Sequence, residues 1–365
     1  MNMRAHRSLA QREGRGPTPP SCHAGHSAKR PQGIVLTATV WRGLGALAVM
    51  INSMKTGSYC RFFWSCLARK VTWNRMSLTG CPMVTDDLEF RVDEARCTRC
   101  GLCASDCLAR IISLERTGFP EVQPDQQSSC IDCQHCFALC PEGALSIRGL
   151  DPAASRPLEP GGFPTFAQMD LLVRGRRSVR QYRDENVDPA LIRRLLEDLE
   201  YAPTGVNCRK LTFTVIQDKA VLAELRARVM SALTRAQEEN RLPEPSGYLA
   251  AMIGLWRDQG RDVVFRGAPH LLVVSAPLDS PTPQQDVPLT LAYFELLAQS
   301  SGLGTLWLGL LRRALELSPD LKGLLGLPAD HCYYAMLFGY PAVHYQRTVQ
   351  RGRAAKVQII EAIPA

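Results

Sequence analysis

Apolar positions along this chain follow helical and strand periods in its C-terminal half and lose them upstream. Leu191, Ile192, Leu195, Leu196 and Leu199 recur at three- and four-residue steps behind Asp188 and Pro189, a capping residue followed by one suited to a first turn, so a helix is expected there. LTFTVI (211–216) reads as a buried strand, 218–240 as a long amphipathic helix and HLLVVSAP (270–277) as a central strand. TLAYFELLAQSSGLG (290–304) reads as a helix stopped by glycine, and YYAMLFGYP (333–341) as a last strand ending in a turn. This mixture predicts an α+β layered domain over 169–365.

Residues 148–168 are rich in Pro, Gly and Ala and lack apolar periodicity, which marks an interdomain linker. Before it, DDLEFRVDEARC reads as a short strand entering a cysteine run, and PEGALSIRG as a turn and strand leaving a second one. Residues 1–84 read as a disordered or non-native leader, with Met83 as a plausible start. Their apolar stretch, 33–53, is broken by Arg42 and three glycines, which argues against a membrane helix. The basic, acid-poor start also has the look of a transit peptide. Gly43-x-Gly45-x-x-Ala48 is half a dinucleotide fingerprint without the strand, helix and acid that should follow.

The formal charge of +8 invites a nucleic-acid reading, but residues 1–84 hold twelve Lys/Arg against one acid, Glu13. The remaining 31 basic and 34 acidic residues give a body of net −3, so no nucleic-acid partner is expected.

Eight of the fourteen cysteines lie in two runs. Cys97, Cys100, Cys103 and Cys107 follow C-x2-C-x2-C-x3-C, and Cys130, Cys133, Cys136 and Cys140 repeat it, closing with Pro141. In such runs three thiolates cap one cubane while the fourth ligates the other, which predicts two [4Fe-4S] clusters: one on Cys97, Cys100, Cys103 and Cys140, the other on Cys130, Cys133, Cys136 and Cys107. Two zinc sites would leave cysteines unexplained. The first run continues with Leu108 where proline is frequent. A two-cluster ferredoxin-type domain is therefore expected over 88–147, in a reducing, cytoplasmic compartment. Cys22, Cys60, Cys66, Cys81, Cys208 and Cys332 show no pairing pattern.

Three further segments carry candidate chemistry. Arg176, Arg177, Ser178 and Arg180 place three guanidiniums and a hydroxyl within five residues, enough to clamp a phosphate. Ala202-Pro203-Thr204-Gly205-Val206-Asn207 combines small turn-formers that admit a ligand with an amide that donates and accepts. Gly302-Leu303-Gly304-Thr305-Leu306-Trp307-Leu308-Gly309 is a glycine-rich turn, and Gly339-Tyr340-Pro341 is trailed by Arg347, Arg351 and Arg353.

In this order the segments RRSVR, APTGVN, RGAPHLLVV, AYFELLAQSSGLGTLWLG and GYP resemble the nitroreductase family, and with the cysteine runs the chain is most similar to its iron–sulfur branch, over roughly 88–360. The resemblance implies an α+β homodimer with FMN at the subunit interface. It implies that Arg176, Arg177, Ser178 and Arg180 hold the phosphate and ribityl or face the pyrimidine edge. Pro203, Thr204, Gly205 and Asn207 would come from the other subunit, Leu306 and Gly309 would lie by the ring, and Arg351 and Arg353 would complete the phosphate site. Where many relatives place Gln, Pro and an aromatic shortly after the asparagine, this chain has Cys208, Arg209, Lys210 and Leu211. Cys208 reads as a buried spacer rather than a redox thiol.

The implied activity passes single electrons from a ferredoxin-like donor or NAD(P)H through clusters and flavin to a nitroaromatic, quinone or similar acceptor. No separate catalytic side chain is expected. A non-catalytic electron carrier or redox sensor and a reductive dehalogenase are the alternatives. The segment 245–266, rich in Met, Trp and Tyr, is expected to form a lid or an interface helix.

Overall fold

The computed structural model describes residues 87–352 and 355–363. The leader, the 33–53 stretch, the half fingerprint, Met83, four of the cysteines and Arg353 lie outside them.

The N-terminal part is built twice. Every cysteine of the first run has its counterpart 33 residues later. The same offset relates Arg99 to Asp132, Gly101 to Gln134 and Arg110 to Gly143, all at positive φ. These left-handed residues wind each run around a centre, and a short helix follows in each: α1 (Leu102–Ser105) and α2 (His135–Leu139). β1 (Arg91–Val92) pairs antiparallel with β4 (Leu145–Ser146), and β2 (Ile112–Ser113) with β3 (Glu121–Val122). Leu88, Ile111, Ile112, Phe137, Leu145 and Ile147 form the small core between the two halves.

The stretch expected as linker ends early. Helix α3 (Phe166–Gly175) starts inside it, because Thr165 and Gln168 form a reciprocal capping box. α4 (Pro189–Asp198) begins as expected, with the Asp188 carboxylate accepting from the Ala190 N–H.

The C-terminal domain is a four-stranded antiparallel sheet of order β5-β6-β8-β7, where β5 is Thr212–Ile216, β6 His270–Pro277, β7 Gly304–Trp307 and β8 His331–Gly339. Side chains alternate across it. Leu271, Val273, Ala335 and Leu337 face α5 (Lys219–Glu238), α6 (Gly247–Gln259), α8 (Gly309–Leu317) and α9 (Asp320–Leu324). Leu272, Val274, Ala276, Met336 and Phe338 face α4 and α7 (Pro283–Ser300). Helices on both faces explain why β6 is buried without interruption from His270 to Ala276. The fold is α+β.

Three expectations change. β5 is an edge strand, half-exposed rather than buried. α7 starts seven residues before 290: Pro283 occupies the first turn, where its missing N–H costs nothing, and the helix continues through Pro288. The 245–266 segment contains α6, which buries Leu249, Met252 and Ile253 in the core.

His270, at the start of β6, is fully buried, stacks on Phe338 and accepts the Val187 N–H at Nε2. Burial holds its imidazole below the ordinary value of 6.5, partly offset by the Ile216 backbone and the Asp218 carboxylate. The unfolded chain therefore takes up this proton first, and stability present above pH 6.5 is lost as pH falls toward the lower folded-state value. Denaturation midpoints should fall between about pH 7 and pH 5.5, and His270→Gln, which keeps an acceptor, should flatten that slope.

Candidate functional site

The eight thiols surround two clefts, and the sets cross between the runs. Cys97, Cys100, Cys103 and Cys140 line a cleft of about 360 Å³ walled by Val92, Pro120 and Leu145. Cys107, Cys130, Cys133 and Cys136 line one of about 440 Å³, walled by Leu88, Phe90, Ile111, Ile112 and Ile147. These are the sets expected from the spacing. Burial raises the Cys103 and Cys130 thiols and pushes Cys136 up to about 12. The repulsions that add to this run from Cys103 to Cys100 and Cys140, and from Cys136 to Cys133, Cys130 and Cys107. Apolar walls thus disfavour bare thiolates, and a cationic iron core supplies the charge that reverses this. Backbone donors are in place: the Ala144 N–H donates to Cys140 Sγ at 3.2 Å, and the backbones of Ala104, Asp132 and Phe137 hydrogen-bond Cys103, Cys130 and Cys136. Among the described residues no three His, Cys, Asp or Glu side chains converge on a point as one ion requires. A tetrahedral zinc site would hold its sulfurs about 3.8 Å apart, whereas here they ring clefts, an arrangement that suits a cubane.

In the C-terminal domain RRSVR leaves α3 and lies along β7. Ser178 bridges Thr305 in parallel, and the Val179 N–H donates to the Thr305 carbonyl at 2.8 Å. Gly304 permits this approach, since a Cβ there would stand 2.4 Å from Val179 Cγ2. Arg176 Nη1 meets the Glu295 carboxylate of α7 at 3.0 Å, and the same oxygen lies 3.3 Å from Thr305 Oγ1. Arg177 donates through Nη2 to the Arg174 carbonyl, while its buried Nε has no partner among the described residues. Arg180 is exposed. Tyr345 Oη lies 3.4 Å from the Ser178 carbonyl, and Arg351, six residues on, is exposed. An unpartnered guanidinium nitrogen next to exposed Arg180 fits a phosphate.

Leu306 is on β7, and Gly309 opens α8, where a Cβ would meet Tyr334 Oη at 2.7 Å. The second segment is held elsewhere. The Gly205 N–H donates to the buried Asp286 carboxylate at 3.1 Å, and Thr204 Oγ1 accepts from the Arg209 N–H. Asp286 and Glu295 are nine positions, roughly 14 Å, apart along α7, so Gly205 and Arg176 are fastened at different turns of that helix. Two expectations shift here. Gly205 makes room for Thr282 Oγ1, which a Cβ would meet at 2.0 Å, rather than for a ligand. Asn207 Nδ2 donates to the Ile131 and Asp132 carbonyls of the ferredoxin-type domain, at 2.9 and 3.0 Å, which leaves only Oδ1 for a cofactor. Cys208 is buried.

Sequence reasoning missed Asp286 and Glu295. Their signal was a pair of carboxylates in phase with Val287, Thr290, Leu291 and Phe294 on one helix face, where solvated charges do not belong.

Residues 173–340 match the nitroreductase family, and residues 96–145 the 4Fe-4S dicluster domain. Residues 173–340 form a nitroreductase-family domain. Its nitroreductase domain makes it a flavin oxidoreductase carrying an N-terminal 4Fe-4S domain. No curated protein matches it. Similar solved structures include a nitroreductase with bound FMN from Bacteroides fragilis, 23% identical, covering 51% of this chain and 97% of that one, TM-score 0.42. An FMN-dependent nitroreductase from Clostridium difficile is 19% identical over 54% of this chain and 100% of its own, TM-score 0.42. The FMN-dependent nitroreductase NfnB from Mycobacterium smegmatis, in complex with NADPH, is 21% identical over 54% and 100%, TM-score 0.39.

If Gly304 exists for Val179, Gly304→Ala should destabilise the domain by about 1–3 kcal/mol through overpacking. Adding Val179→Ala should recover part of that loss in denaturant titrations. Additive losses would show that the close approach is not the constraint.

Proposed function

We propose that this nitroreductase-type enzyme carries two [4Fe-4S] clusters and one FMN per chain and converts single electrons into a two-electron reduction of a nitroaromatic, quinone or similar electron-poor acceptor. The observation that carries the reading is the pair of clefts, each ringed by four crossed cysteines, hydrogen-bonded through Asn207 to a nitroreductase domain.

FMN, bound or named in the three similar structures, would when present supply the two-electron chemistry. Arg177, Arg180 and Ser178, with Arg351 nearby, would hold its phosphate and ribityl. Arg176 remains beside them, anchored by Glu295. Leu306 and Gly309 would border the ring. Pro203, Thr204, Gly205 and Asn207 Oδ1 would be offered by a second copy of the chain, and their separation from Arg176 along α7 supports a site completed by a homodimer. Positive charge at the pyrimidine edge would stabilise the reduced, anionic flavin. The electron donor is a ferredoxin-like protein or NAD(P)H, and the two clusters, which carry single electrons, favour the former. Among the described residues no helix is long and apolar enough to cross a membrane. A reducing, cytoplasmic compartment suits eight cluster thiols.

Anaerobically purified full-length protein should hold about eight iron per chain, matching acid-labile sulfide, and one FMN. Zinc in place of iron, or iron without flavin, would sink the enzyme reading; loaded protein that turns over no acceptor would leave an electron carrier. The crossed ligand sets make a second forecast. Cys107→Ser with Cys133→Ser should remove one cluster and keep about four iron, whereas Cys107→Ser with Cys100→Ser should remove both.

A further inference from the structure

Asn207 sits in a loop whose backbone is strained. Val206, Asn207 and Arg209 have φ of 50, 54 and 52°. For β-branched Val206 this left-handed conformation is a genuine outlier, of the kind that persists only when surrounding contacts enforce it. Those contacts are the Gly205 N–H on buried Asp286 and the Arg209 N–H on Thr204 Oγ1. The shape they impose aims both Nδ2 hydrogens of Asn207 into the ferredoxin-type domain.

The acceptors are the carbonyls of Ile131 and Asp132, the two residues that separate Cys130 from Cys133. Arg148 pairs with the Asp132 carboxylate at 3.1 Å, so this ligand loop is held from two directions. Among the described residues no such bond reaches Thr98 or Arg99, which separate Cys100 from Cys97. The two clefts, alike in ligands, therefore differ in their connection to the nitroreductase domain. Electron transfer slows steeply with distance, so the cluster whose loop is fastened to that domain is the one placed to deliver.

We infer that the cluster held by Cys107, Cys130, Cys133 and Cys136 is the direct donor to the flavin, and that Asn207 is the positioning residue that fixes its ligand loop. The inference rests on the cofactor content proposed above. Each delivery oxidises this cluster by one electron, and the other cluster, reduced by an external one-electron donor of the ferredoxin class, refills it by one. Two deliveries with one proton from water would complete the two-electron reduction of the flavin to its anionic reduced form.

The test uses the full-length holoenzyme. Cys100→Ser and Cys133→Ser first assign the two cluster EPR signals. Asn207→Asp, which sets a carboxylate against the two carbonyls, should shift the midpoint potential and EPR signal of the cluster assigned through Cys133 and leave the other unchanged. It should also slow single-turnover flavin reduction by a reduced two-[4Fe-4S] ferredoxin at least about tenfold, with iron and FMN content intact. A shift confined to the cluster assigned through Cys100, or unchanged flavin reduction in the fully loaded variant, overturns the inference. Asn207→Ser serves in the same measurements if the Asp variant does not fold. Wild-type protein lacking iron or FMN defeats the underlying reading, and that is visible before any variant is made.

Discussion

The buried face of α7 governs the arrangement of this domain. A charge in an apolar core must be met by donors, and α7 places two carboxylates there, Asp286 and Glu295, each 5–7% exposed. Asp286 is met by the Gly205 N–H and Thr282 Oγ1, Glu295 by Arg176 and Thr305 Oγ1. Both candidate segments are thus fastened to one helix, at two points roughly 14 Å apart. Removing either carboxylate would strand its partners and release a loop, so the two ends of the candidate site depend on core electrostatics rather than on surface contacts.

That spacing bears on how many chains a site requires. RRSVR and β7 form one wall, held together by the Ser178 bridge and by the absence of a side chain at Gly304. APTGVN is fastened to a different turn of α7, by the Gly205 N–H on Asp286. The same loop carries Asn207 to the ferredoxin-type domain, so a segment first read as cofactor-binding also joins the two modules.

The cysteine sets were legible because their chemistry is local. A thiolate can cap a cubane only from a tightly wound loop, and the x2, x2, x3 steps encode that winding and the crossing between runs. The capped start of α4, the helix α5 and the central strand β6 were legible for a similar reason: period and capping are properties of neighbours in sequence. β5 was misjudged because its apolar run matched that of a central strand, and only pairing decides which strand stands at the edge. The early part of α7 was hidden by Pro283 and Pro288, which read as loop until tertiary packing outweighs a lost hydrogen bond.

By itself the sequence determined the two cysteine sets, the α+β class and the family, since each follows from residue types at short, fixed separations. The tertiary structure alone decided which glycines serve packing, that Arg176 answers a buried glutamate, and that Asn207 reaches the Cys130 loop. The last two depend on groups 75 to 119 residues apart, and no local pattern can state which donor a buried acceptor will meet until the chain has folded around it.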